Sequence, residues 1–189
     1  MFEQIIIAVV ILSVIGSVIS MYNSIVSDHK SVQQSWDDVT VIERQRMRIL
    51  PELEKVLKEH KLFESEVFTK IAALRNSVEQ LNGNDIEPSR CADVGNMSTE
   101  LMNSLRFVSE SYPELKASES FSKNMDEIVN QEEQVGAALR VFNQNVSIFN
   151  TRIESFPSNM VNGMLNRKKP VDSFVDNAAS SSFDYKPNL

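Results

Sequence analysis

The chain has 189 residues, 42% of them hydrophobic and 24% charged, with only 5 glycines and 6 prolines. That composition suits one domain of long helices and argues against turn-dense β-sandwiches and loop-rich α/β folds. The 19 basic and 26 acidic side chains give a formal charge of −7, unsuited to binding a nucleic-acid backbone; the single cysteine, Cys91, excludes an intrachain disulfide framework and a cysteine-built zinc cluster.

Residues 5–20 read IIIAVVILSVIGSVIS, and no charge follows Glu3 until Asp28. Extended to residues 2–22, the stretch reaches the roughly 20 apolar residues that cross a hydrocarbon core of about 30 Å. A cleaved signal peptide is the competing reading, because Val18-Ile19-Ser20 loosely fits a small-residue cleavage pattern. The leading residues lack any Lys or Arg and carry Glu3, which is unlike the basic start of a signal peptide. A helix of a soluble core is the third reading, but one apolar all round would need cover on every side. Residues 1–22 are therefore expected to be a retained, single-pass transmembrane anchor. Lys30 is the first basic residue behind it and none precedes it, which favours a cytoplasmic position for the rest of the chain.

Beyond the anchor, helices are predicted near 22–48, 51–81, 94–111 and 118–154. Pro51 lies inside a helical pattern and either kinks a long helix or opens a new one. Apolar residues recur at Leu53, Val56, Leu57 and Phe63, then at Val67, Ile71, Leu74, Val78 and Leu81. The turn residues of GNDIEPSRCADVG predict a loop over 83–95 that carries Cys91 in a polar setting. Tyr112-Pro113 ends a helix, since the residue before proline disfavours α geometry, and Ser118 is placed to cap the next one. Positions 121, 125, 128, 132, 135, 139, 142, 146, 149 and 153 then step alternately by four and three. All are apolar except Glu132, so this is a coiled-coil or bundle seam that Phe156-Pro157 closes.

The fold expected is all-α: an N-terminal transmembrane helix, then an up-and-down-like four-helix bundle over 23–166 with one long coiled-coil-type helix. Residues 167–189 form a basic, then polar, tail expected to be disordered. Met160, Val161, Met164 and Leu165 followed by Arg167-Lys168-Lys169 make a short amphipathic stretch, suited to a membrane surface or to capping the bundle.

Catalytic patterns are scarce. The two histidines, His29 and His60, have no metal-ligand spacing, and no phosphate-binding glycine loop or nucleophile elbow occurs. His60 falls near the 53–63 stripe and reads as an interfacial residue. Glu132 on an apolar seam must be paired, by an Arg of another helix, or must lie at a bundle end; otherwise it specifies register or oligomeric state. Metal ligation by Glu132 would need further inward carboxylates. Glu43, Arg44, Arg46 and Arg48 read as a solvated helix face. No cofactor or metal site is expected.

Five motifs in order carry a resemblance: Tyr22-Asn23-Ser24-Ile25-Val26, Ser35-Trp36-Asp37-Asp38-Val39, Ile49-Leu50-Pro51-Glu52-Leu53, Tyr112-Pro113-Glu114-Leu115-Lys116-Ala117, and Phe149-Asn150-Thr151-Arg152-Ile153 with Phe156-Pro157-Ser158-Asn159. Together they resemble the LemA family of bacterial membrane proteins. Glu52 stands where the family usually has Asn, Phe149 where it has Tyr, and the glycine/phenylalanine-rich stretch after the last motif is replaced by Asn162-Gly163-Met164-Leu165 and basic residues. The resemblance implies a bacterial inner-membrane location, one N-terminal span and a helical bundle, and it implies no particular chemistry. The expectation is a non-catalytic, membrane-anchored scaffold that forms a homo-oligomer or binds another membrane protein. An exported binding module and a carboxylate-based metalloenzyme are the rivals. Trp36, Tyr112, Phe149 and Phe156 are expected to pack the bundle, and Asn150 and Arg152 to cap helices or bridge segments.

Overall fold

A computed structural model describes residues 1–60, 65–81, 83 and 85–175. Within them the chain is all-α. It runs α1 (Phe2–Arg46), α2 (Leu50–Glu59), α3 (Ser65–Glu79), α4 (Pro88–Ser111), α5 (Pro113–Lys116), α6 (Glu119–Glu154), α7 (Ser158–Val161) and a π-helical turn, Asn162–Asn166. At 1.5 Å per residue, α1 extends for about 68 Å and α6 for about 54 Å. These two lie against each other, while α3 packs on α4 and α2 on α6.

The apolar stretch and the first bundle helix are one helix. Its first 20 residues are exposed almost throughout, and it is the one described helix long and apolar enough to cross a membrane. From Ile25 onward the same helix turns a buried face to α6 through Val32, Trp36 and Val39. Inside the apolar part, the Ser17 hydroxyl donates to the Ser13 carbonyl at 2.9 Å, so it needs no water.

The ambiguity at Pro51 is resolved in favour of a new helix. α1 stops at Arg46, a turn bonds Ile49 N–H to Arg46 C=O at 3.2 Å, and Pro51 sits in the first turn of α2. There its missing N–H removes no helical bond and its fixed φ suits helix entry. The predicted 51–81 helix is two elements, α2 and α3; Phe63 of its stripe lies outside the described residues. The loop expected over 83–95 is shorter than its turn residues suggested. Pro88 opens α4 in the same way that Pro51 opens α2, so Cys91 and Gly95 are helical. Tyr112 is extended and separates α4 from α5, and the Ser118 hydroxyl accepts from Phe121 N–H at 3.4 Å to cap α6.

The core has two parts stacked along the bundle axis. One gathers α2, α3, α4, α5 and the start of α6 around Leu53, Ile71, Leu101, Leu105 and Phe121. The other joins α1 to the rest of α6 around Ile25, Trp36, Phe142, Phe149 and Ile153. The 121–153 seam is buried as its spacing requires, with Met125 and Glu132 partly covered. Trp36 and Phe142 meet at 5.2 Å between ring centroids, tilted by 52°, and His29 meets Phe149 edge-on at 5.3 Å. Trp36, Phe142 and Phe149 are fully buried, and each contributes about 1.5–3 kcal/mol from the surface it withdraws from water, while His29 is half-buried.

Candidate functional site

A buried polar layer separates the two parts of the core. Glu43 and Arg46, expected on a solvated face, are 1% and 2% exposed. Their side chains form an ion pair at 2.5 Å. Arg46 Nη1 also donates to Ser98 Oγ at 3.1 Å, and Ser98 Oγ donates to Glu132 Oε1 at 2.7 Å, which leaves Arg46 and Glu132 3.8 Å apart. The seam's one carboxylate is therefore paired with an arginine of another helix, one of the arrangements its position left open. Burial pushes the Glu43 carboxyl above its ordinary range; Arg46 pulls it back, and the charge of Glu132 adds to the rise. A cavity of about 230 Å³ opens beside the layer, between Ala92, Gly95 and Asn96 of α4 and Gly136 of α6.

Cys91 also borders this cavity, and the polar loop expected around it does not exist. It is 2% exposed, and burial, reinforced by the Glu43 charge, pushes its thiol up to about 12. A thiol so protonated is a poor nucleophile.

Around Trp36, α1 holds the α3–α4 connection. The indole Nε1 donates to Asp85 C=O at 2.9 Å, and Arg44 Nη2 donates to Leu81 C=O at 2.9 Å. At Gly83 a Cβ would stand 2.4 Å from the Asp37 carboxylate, so a larger residue there would require that exposed side chain to swing aside. The Ser35–Val39 motif is thus a clasp for that connection.

Near the other end of α6, two asparagines hold an extended strand of the chain. Asn150 donates to Val171 C=O at 2.8 Å and accepts from Val171 N–H at 3.0 Å. Asn143 does the same to Phe174, at 2.9 and 2.8 Å. Two helical turns separate the asparagines by about 10.5 Å, and three extended residues span about 10 Å, so the spacings match. Residues 170–174, expected in a disordered tail, therefore lie on the bundle, and Phe174 reaches the cavity beside the polar layer; residues 176–189 of that tail lie outside the described residues. Asn162 grips Lys168 in a third such pair of bonds, both 2.9 Å. Arg152 forms an ion pair with Asp28 of α1.

The predicted site residues thus separate. Trp36 and Phe149 are buried in the core, Pro51 starts α2, Glu132 belongs to the polar layer, and Asn150 and Arg152 bridge segments. Tyr112 and Phe156 do not pack the core: both are exposed, Tyr112 beside a groove of about 550 Å³ between α3 and α4, and Phe156 at the turn after α6. Sequence reasoning missed Glu43, Arg46 and Asn143. The seam of α1, which runs on into α2, would have found the first two, since Val32, Trp36, Val39, Glu43, Arg46 and Leu50 step by four and three. Among the described residues, no three His, Cys, Asp or Glu side chains are arranged to hold a metal.

At the apolar end of α1, α7 and the π turn lie against it and enclose an apolar groove of about 410 Å³. Its walls are residues 13–21 of α1 on one side and Met160, Val161, Met164 and Leu165 on the other.

A long apolar helix that continues without a joint into a bundle strapped by its own asparagines defines a class: all-helical proteins with one N-terminal candidate membrane span. Residues 35–183 match the LemA family, and the chain belongs to it. It is similar to Protein LemA of Metamycoplasma hominis, with 27% identity over 139 residues, 74% of this chain. The match spans 62% of that relative's length.

Proposed function

We propose that the chain is a non-catalytic, membrane-anchored helical scaffold that self-associates or binds another membrane protein. The carrying observation is the continuity of α1 from its exposed apolar turns into the core, which supports a bundle held rigidly on a membrane-spanning helix. Two facts support retention of the apolar segment over cleavage: Val18 and Met21 pack against the core, and cleavage after Ser20 would remove Val18. The absence of catalysis is supported by the polar side chains, because Glu132, Ser98, Arg46, Asn143, Asn150 and Arg152 are each engaged in holding segments together.

A cytoplasmic bundle is supported by charge. Asn166 donates to Tyr22 C=O at 3.4 Å, so Arg167, Lys168 and Lys169 join Lys30 on the trailing side of the apolar stretch, the side that basic residues favour for the cytoplasm. The test is the mass of the detergent-extracted protein by light scattering, after subtraction of the micelle. A dimer or larger species, or a stoichiometric membrane partner, is expected. A clean monomer that retains nothing sinks the proposal.

A further inference from the structure

The groove beside the anchor has a consequence for how the chain sits in a bilayer. Residues 13–21 of α1 belong to the apolar stretch, and from the first to the last of them the helix rises about 12 Å, less than half of a ~30 Å hydrocarbon core. Whatever packs against those residues must share their depth. α7 and the π turn do so, yet the apolar side chains they bring are largely bare: Met160 is 52% exposed, Met164 70%, Leu165 55% and Phe156, just before them, 78%. In water such a cluster is costly; in acyl chains it is at home.

Much of the segment's backbone bonding, and the Asn162 side chain, suit the same surroundings. Asn159 N–H bonds to Ser155 C=O at 2.8 Å, Met160 N–H to Pro157 C=O at 3.1 Å and Arg167 N–H to Asn162 C=O at 2.7 Å. The Asn162 side chain spends both its amide groups on the backbone of Lys168. Helical turns that satisfy themselves internally are what a lipid environment requires of irregular chain. Asn166 bonds to Tyr22 C=O, and the chain then leaves through a left-handed turn at Arg167, φ 52°, into Arg167-Lys168-Lys169, three cations placed past the end of the apolar stretch and suited to anionic headgroups.

We infer that residues 156–166 form a second membrane element, a wedge embedded in the leaflet that faces the bundle, with a lipid acyl chain filling the groove between it and residues 13–21. The inference rests on the anchor reading proposed above.

Its test is nitroxide labelling of the full chain in phosphatidylcholine/phosphatidylglycerol vesicles, at Met164→Cys, at Ile11→Cys inside the anchor, and at Lys123→Cys on the exposed face of α6. Buried Cys91 stays in place, with the unsubstituted chain as blank. Collision with dissolved oxygen and with a nickel chelate reports depth. Met164 is expected to behave like Ile11, open to oxygen and lost to nickel, while Lys123 meets nickel freely. Nickel collisions at Met164 as frequent as at Lys123 overturn the wedge and leave the anchor intact. Shielding of Met164 from both reagents also overturns it, by showing protein, such as a second copy, over this face. Nickel access at Ile11 itself overturns the anchor and the wedge together.

Discussion

Removing Arg46 while keeping Glu43 tests the buried polar layer most directly. In Arg46→Met the side-chain volume is roughly kept, but Glu43 loses its partner at 2.5 Å and remains inside at 1% exposure. A buried carboxylate without a partner costs about 3–5 kcal/mol. It has one escape, which is to take a proton. Starting from an ordinary pKa of 4.5, protonation at about pH 7.5 costs roughly 4 kcal/mol at ~1.36 kcal/mol per unit, and this sets the ceiling. The sign follows from the raised carboxyl: the folded state prefers protonated Glu43, so the penalty is absent below the unfolded pKa and grows as pH rises. Urea unfolding of the full chain in detergent, followed by circular dichroism, should therefore show a deficit near 3–4 kcal/mol at about pH 7.5 that mostly disappears near pH 4.5. Glu43→Leu combined with Arg46→Met should recover most of the loss, because two apolar side chains have no charge to desolvate. A single-variant deficit below about 1 kcal/mol, or one independent of pH, would refute the reasoning.

Three further outcomes follow from the same contacts. Phe142→Ala, at the centre of the α1–α6 core, should cost about 3–5 kcal/mol, whereas Val141→Ala on the exposed flank of the same turn should stay within about 0.5 kcal/mol; equal effects would mean that the seam's register is wrong. Cys91 should resist maleimide in the native protein, even in permeabilised cells, and react promptly in urea, since its thiol is buried and pushed up to about 12; rapid native labelling would contradict its place in α4. Asn143→Ala should release Phe174 and Asn150→Ala Val171, each at about 1 kcal/mol per hydrogen bond lost, and amide exchange of residues 171–174 should accelerate while α6 stays protected.

Much of this protein was legible from local pattern. The apolar run of α1 needed only length and composition to be read, and the seam of α6 only its spacing, because burial of one helix face leaves a periodic trace wherever the chain is cut. The proline and serine boundaries at Tyr112, Ser118 and Phe156 were equally local, set by steric exclusion and by a hydroxyl one turn from an orphan N–H. Pro88 shows the limit, since the same residue type that ends a helix also opens one, and the turn residues around it could not say which.

What only the tertiary structure decided depends on which faces meet. Glu43 and Arg46 look like any charged pair on a helix until α4 and α6 bring Ser98 and Glu132 across them and shut out water. Asn143 and Asn150 become clamps only because a chain segment twenty to thirty residues further on lies alongside at the matching spacing. Phe156 and the methionines after it would belong to a core by composition. They are left exposed because α7 and the π turn lie along the apolar first turns of α1, which cover only one side of them. Periodicity reports that a face is buried; the partner across it, and so the charge, depth and solvent it meets, is a property of the assembled chain.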